Sequence, residues 1–204
     1  MEHDEIEIKY RLTDPDAPRR RLLDLGLVST GRVFERNIRF EDAANSLIDR
    51  KALLRLRQDR HNTLTYKQAA PAGDNRFKIY REIETRVDDF EATRRILESL
   101  GFSPCQIYEK YRETFTTDGA VICLDTMPYG DFLEIEGDKR QILELSDRLG
   151  MNWHKRILAT YLEMFADLRQ AVPLSFNDLT FANFAAVRDD FTDFWEKYEQ
   201  EPAG

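Results

Sequence analysis

Glutamates recur at alternate positions, as Glu5/Glu7, Glu82/Glu84 and Glu134/Glu136, and basic residues do the same at Arg55/Arg57 and Lys110/Arg112. Residues two apart on an extended strand project to the same side, so each pair can share one ligand. Carboxylate pairs without a His or Cys cluster offer hard oxygen donors, which suit Mg²⁺ or Mn²⁺ rather than Zn²⁺. Arginine and lysine grip phosphate, arginine with bidentate geometry. A closed space holding both sets fits a metal-bound triphosphate better than a single phosphate. Lys9, Lys67 and Asp125 belong to the same charged faces. Any one such pair is an ordinary solvated strand face, where cross-strand ion pairs contribute only a fraction of a kcal/mol. Repetition over separate strands is what calls for a ligand.

The segments that carry these residues have a period of two. Residues 5–12 alternate Glu5, Glu7, Lys9 and Arg11 with Ile6, Ile8, Tyr10 and Leu12, the pattern of a strand with one charged and one apolar face. The pattern returns over residues 28–41, 51–57, 63–67, 78–86, 107–116, 120–126 and 131–136. His61-Asn62 marks a tight turn and Asp118-Gly119 a hairpin. Residues 43–49 read as a loop. Helices are predicted over 19–25, 88–100 and 139–149, the first two stopped by Gly26 and Gly101. A further helix is predicted from an Asn152 cap through Trp153 to about Arg169, with Trp153, Ile157, Tyr161, Phe165 and Leu168 as a core stripe. The expected fold class is α+β, with about eight antiparallel strands and the helices concentrated in the last third. Closing such a sheet would remove its exposed edges.

The chain has 204 residues, enough for one domain with an extension. Its net charge of −8 argues against a partner of duplex nucleic acid. The start, Met1-Glu2-His3-Asp4, has neither a basic nor an apolar leader segment, and no apolar run reaches membrane-spanning length. Cys105 and Cys123 read as free buried thiols of a reducing compartment, with a disulfide as the alternative. Those features together point to the cytoplasm. After Pro173, the residues Phe184, Val187, Phe191, Phe194, Trp195 and Tyr198 recur at helical spacing. Such a stripe would cap the sheet or its helical layer, or else form a homodimer contact.

In their order along the chain these motifs resemble the CYTH family, the triphosphate tunnel metalloenzymes. Glu5-Ile6-Glu7-Ile8-Lys9 is similar to the family's ExExK signature, and Leu54–Arg57, Leu64–Lys67, Arg81–Glu84, Glu109–Arg112 and Leu124-Asp125 through Glu136-Gly137 follow in the family's order. The resemblance covers about residues 4–170. It implies an eight-stranded antiparallel β-barrel tunnel with the charges inside, spanning residues 1–170, and a helical extension over 171–204. It implies Glu5, Glu7, Glu134 and Glu136 as ligands of divalent metal, with Glu82, Glu84 and Asp125 ligating or orienting metal-bound water. Arg55, Arg57, Lys67, Lys110 and Arg112 would bind the triphosphate. Lys9 would touch a phosphate or help orient the nucleophile, which places Lys9, Glu82 and Asp125 nearest the chemistry. Asn37 and Thr126 depart from the family pattern, since acids are frequent at both positions. The implied reaction is metal-dependent hydrolysis of inorganic triphosphate or of a small organic triphosphate such as thiamine triphosphate. Its alternatives are cyclisation of ATP, as in class IV adenylyl cyclases, and non-catalytic binding of a polyphosphate or nucleotide.

Overall fold

The computed structural model describes residues 2–70, 74–189 and 191–198. Eight strands, β1 (Glu2–Leu12), β2 (Ser29–Asp42), β3 (Ala52–Gln58), β4 (Asn62–Ala69), β5 (Lys78–Val87), β6 (Phe102–Thr117), β7 (Ala120–Met127) and β8 (Gly130–Gly137), arise from the period-two segments. They close into a ring in the order β1-β5-β4-β3-β2-β6-β7-β8, every neighbouring pair antiparallel. Closure depends on β1, which pairs through Glu2–Glu7 with β5 and through Glu7–Leu12 with β8. The ring order sets β1, flanked by β5 and β8, across from β2, flanked by β3 and β6.

The apolar faces of the strands point outward, and over much of the ring they pack into helices. Ile8, Tyr10, Ile122, Leu133 and Ile135 pack with Leu22 of α1 (Asp16–Asp24) and with Ile142 and Leu145 of α4 (Lys139–Arg148). Ile38, Phe40 and Leu56 pack with Phe90 and Leu97 of α3 (Phe90–Ser99), whose first turn is capped by the Asp89 carboxylate accepting from the Ala92 N–H at 2.8 Å. With the apolar positions committed outside, the alternate charged positions face inward.

Three expectations need correction. Within the segment read as a loop, Ser46–Asp49 form a short helix, α2, because the buried Glu41 carboxylate accepts from the Leu47 and Ile48 N–H groups at 3.0 Å each. The helix expected from Trp153 to about Arg169 is broken. Trp153–Lys155 make one 3-10 turn, and Ile157 then pairs with Lys9 through N–H···O bonds of 2.7 and 3.2 Å. Pairing of β5 with β1 stops at Glu7↔Lys78, so the buried Lys9 backbone takes Ile157 as its partner. Helix α5 (Tyr161–Ala171) begins only after a capping box formed by Thr160 and Glu163. Thr160→Ala is expected to cost about 1 kcal/mol, seen in a thermal melt as a transition lowered by about 3 °C. Finally, Cys123 is buried but Cys105 is exposed, and both thiols are free.

The C-terminal aromatic stripe does not form one helix. It supplies α6 (Phe181–Phe184) and α7 (Thr192–Glu196), while residues 199–204 of the extension lie outside the described residues. Leu179 lies beside β6, its N–H donating to the Ile107 carbonyl at 2.8 Å and its carbonyl accepting from the Glu109 N–H at 2.9 Å. Trp195 is 1% exposed, with its ring 5.1 Å from that of Tyr129 and 5.8 Å from that of Phe132. Much of the stripe is therefore spent on the chain's own core. Among the described residues no helix is long and apolar enough to cross a membrane.

Candidate functional site

The ring encloses a cavity of about 600 Å³. Of the residues singled out in the sequence, Glu5, Glu7, Lys9, Arg55, Arg57, Lys67, Glu82, Glu84, Lys110, Arg112, Glu134 and Glu136 all line it. Ring order segregates their charges. The acids come from β1, β5 and β8, whereas Arg55, Arg57, Lys110 and Arg112 come from β3 and β6 on the far arc.

Lysines are threaded through the acidic arc. Lys67 Nζ lies 2.5 Å from both Glu5 and Glu82 carboxylates, and Lys78 Nζ lies 2.5 Å from Glu7. Lys9 Nζ is 2.8 Å from Glu134 and 3.7 Å from Glu7. Burial alone would raise the Glu7 carboxyl, but Lys78 and Lys9 outweigh it and hold the group down at about 2. In the same way Lys9 and Arg112 overcome burial and keep Glu134 well below the usual carboxylate range. Glu136 is different. Among the described residues it has no cation at ion-pair distance, and burial together with Glu5, Glu7 and Glu82 pushes its carboxyl up to about 7.

The basic arc has its own counter-ions. Lys110 Nζ lies 3.0 Å from Asp125 and 3.6 Å from Glu35. Arg112 holds Asp125 bidentately at 2.7 and 2.5 Å and also contacts Glu134. Arg55 donates to Thr65 Oγ1 at 3.0 Å and to the Tyr108 hydroxyl at 3.4 Å, while its buried Nε has no hydrogen-bond partner among the described residues. Arg57 lies 3.6 Å from Glu84 and 3.3 Å from Asp59. These guanidinium groups and Lys110 line the cavity beside their counter-ions, Arg55 also lying 3.6 Å from Glu84, and a wall of such cations suits a polyanion that can compete for them.

Asp125 does not join the cavity wall. It is 1% exposed, and its carboxylate accepts from Lys110, from Arg112 and from the Tyr161 hydroxyl at 2.9 Å. Its oxygens are engaged by three groups that themselves line the cavity, so Asp125 stands one layer behind Lys110, Arg112 and Tyr161.

Sequence reasoning missed four contributors. Lys78 and Tyr80 line the cavity from β5 beside Glu82 and Glu84. Glu35 sits on the charged face of β2, 4% exposed, its carboxyl held at about 2 because Lys110 and Arg112 overcome burial. It supplies the acid on β2 that Asn37 lacks. Tyr161, assigned to a core stripe, packs against Phe132 and also reaches the cavity. The Thr160-to-Glu163 capping box was the available signal, since it places the helix start next to Tyr161.

Among the described residues no three His, Cys, Asp or Glu side chains converge as a ready metal cage. The acidic arc nevertheless fits a hard divalent cation by donor type, because it consists of carboxylates alone. It also holds surplus negative charge, six carboxylates (Glu5, Glu7, Glu82, Glu84, Glu134 and Glu136) against Lys9, Lys67 and Lys78.

The description of the CYTH domain matches residues 3–150 of the chain. No curated protein matches it. The PH1012 protein of Pyrococcus horikoshii is similar in structure with a TM-score of 0.67 at 25% identity, over 78% of this chain and 98% of that one. A candidate adenylate cyclase from Vibrio parahaemolyticus gives a TM-score of 0.69 at 20% identity, over 79% and 97%. A candidate adenylyl cyclase from Hippeastrum, described as having a dominant triphosphatase activity, gives 0.58 at 20% identity, over 84% and 99%. At 20% identity the last two speak for the fold alone.

Proposed function

The chain belongs to the CYTH domain family, and from that premise we propose that it hydrolyses inorganic triphosphate or a small organic triphosphate inside the tunnel, with a divalent metal. The observation that carries this reading is the opposition, across one cavity, of Arg55, Arg57, Lys110 and Arg112 to Glu5, Glu7, Glu82 and Glu136. A monophosphate would engage one arc only. A triphosphate can lie along the basic arc while the acids face its other side.

In this reading Arg55, Arg57, Lys110 and Arg112 bind and orient the phosphate chain and steady the charge that develops on the transferring group. Lys9 and Lys67 contribute further positive charge from the acidic side. Glu5, Glu7, Glu82, Glu84, Glu134 and Glu136 would hold Mg²⁺ or Mn²⁺, which when bound neutralises phosphate oxygens and acidifies water. Glu82, which shares Lys67 with Glu5, is assigned the acceptance of a proton from the attacking water. Water attacks the terminal phosphorus in line, the bond to the bridging oxygen breaks, and pyrophosphate or an organic diphosphate leaves. Asp125 acts through Lys110 and Arg112 rather than on substrate. The tunnel would comprise residues 1–170, the extension 171–204 supporting it from outside.

Ile48, Leu53, Leu162 and Ala166 add apolar wall to the same cavity. Inorganic triphosphate has no use for them, which favours, as a second reading, an organic triphosphate such as ATP cyclised by its own 3′-hydroxyl. Product analysis separates the two. The protein is incubated with Mg²⁺ or Mn²⁺ and inorganic triphosphate, thiamine triphosphate or ATP in turn. Phosphate without cyclic AMP, abolished by EDTA, is expected. Cyclic AMP with equal pyrophosphate would replace hydrolysis by cyclisation, and activity untouched by EDTA would remove the metal.

Arg57→Ala is expected to weaken triphosphate binding about tenfold or more, the loss of charged hydrogen bonds, while changing monophosphate binding much less. Titration calorimetry with both ligands checks it; equal losses would argue against a grip on the whole triphosphate.

A further inference from the structure

The family match ends at residue 150, yet the cavity wall continues into α5 through Tyr161. Resting on the triphosphate reading above, we propose that Tyr161 is a positioning residue that fixes Lys9, Lys110 and Arg112 for the phosphate chain. Its hydroxyl donates to Asp125 Oδ2 at 2.9 Å. That same oxygen accepts from Lys110 at 3.0 Å and from Arg112 at 2.5 Å. The face of its ring lies 4.5 Å from Lys9 Nζ and 5.4 Å from Lys110 Nζ, within the range of cation–π attraction.

One side chain therefore touches, directly or through Asp125, three cations of the grip. The hydroxyl takes part of the Asp125 charge. Without it Asp125 has only Lys110 and Arg112 to satisfy it, and it draws both away from the cavity. The ring does separate work by lying 4.5 Å from Lys9 Nζ, which is also 2.8 Å from Glu134. Tyr161 is itself fixed from both ends. The Thr160–Glu163 capping box sets the start of its helix, and its carbonyl accepts from the Tyr129 hydroxyl at 2.9 Å. Its ring meets Phe132 edge-on at 5.2 Å. The segment after residue 150 is thus a part of the binding machinery and not only a support.

Tyr161→Phe keeps the ring and removes the hydroxyl, whereas Tyr161→Leu removes both. The affinity of the full-length protein for inorganic triphosphate is measured by calorimetry in chelator, well below the melting transition, alongside KM and kcat with metal. Tyr161→Phe is expected to weaken binding and raise KM about tenfold, with kcat within about twofold of wild type. Tyr161→Leu is expected to weaken binding further and to lower kcat as well, through Lys9. A purely structural tyrosine would lower the melting temperature and leave affinity and KM alone, and that result overturns the inference. Wild-type affinity in Tyr161→Phe overturns it while leaving the triphosphate reading intact. Absence of triphosphate binding by the wild-type protein in chelator, together with absence of turnover with Mg²⁺ or Mn²⁺, removes both together.

Discussion

Glu136→Gln is expected to lower triphosphate turnover by about a hundredfold or more, equivalent to a few kcal/mol of lost charge stabilisation, while leaving the metal-free protein no less stable. Glu136 faces Glu5, Glu7 and Glu82 without a cation of its own, and its carboxyl titrates at about 7 instead of the ordinary 4.5 because of burial first and those neighbours next. The sign follows from that elevation. A carboxyl whose folded-state pKa is raised contributes its full stability below pH 4.5 and loses it as pH climbs through about 7. In chelator, wild type should therefore weaken relative to Glu136→Gln between about pH 5 and pH 8, by about 1 kcal/mol once solvent screening is allowed for. Saturating Mg²⁺ or Mn²⁺ should reverse the order, since an ion that binds only the folded wild type stabilises it by mass action. Thermal melts across pH, with and without metal, read both effects. A glutamine variant that is markedly less stable in chelator at pH 8, or that keeps full turnover, would show that Glu136 is not a metal-facing acid.

Strands and their charged faces are legible in this sequence because alternation is local. Nothing beyond Glu5 to Leu12 is needed to see that Glu5, Glu7 and Lys9 share a side. Pairing within the site is not local. That Lys78 meets Glu7 depends on β1 exchanging β5 for β8 at that residue, which no single segment encodes. Glu35 escaped notice because Asn37 and Arg39 follow it at the same spacing, so no like-charged pair marks the strand. Tyr161 was hidden by a periodicity running through Trp153, Ile157 and Phe165 that the chain does not obey. The demand of the Lys9 backbone for a partner overrides helix formation at Ile157. Asp125 carried a usable hint: Cys123 and Met127 stand two residues to either side of it where the other inward acids come in pairs, and a lone acid on the strand next to the one bearing Lys110 and Arg112 suits a counter-ion.

That distinction makes Asp125→Asn the counterpart of Glu136→Gln, and it is expected to lose stability and turnover together. The amide puts an N–H₂ group in place of one acceptor, either Oδ1, to which Arg112 donates at 2.7 Å, or Oδ2, to which Lys110 donates at 3.0 Å and Arg112 at 2.5 Å, in a place that is 1% exposed. Breaking a buried ion pair from one side leaves the partner charges uncompensated, a cost of about 3 kcal/mol. Part of the positive charge remains balanced by Glu35 on Lys110 and by Glu134 on Arg112, which keeps the estimate at that lower end. For a chain of this size the loss should appear as a melting temperature roughly 6–12 °C lower. It should appear equally in chelator and in Mg²⁺, as expected of a residue that acts through Lys110 and Arg112 and not through the metal. Turnover should fall with it, since the two cations no longer hold their place along the basic arc. If Asp125→Asn were as stable as wild type in chelator and lost only its response to Mg²⁺, Glu35 and Glu134 would be sufficient counter-ions. Asp125 would then return to the metal-binding set with Glu5, Glu7 and Glu136.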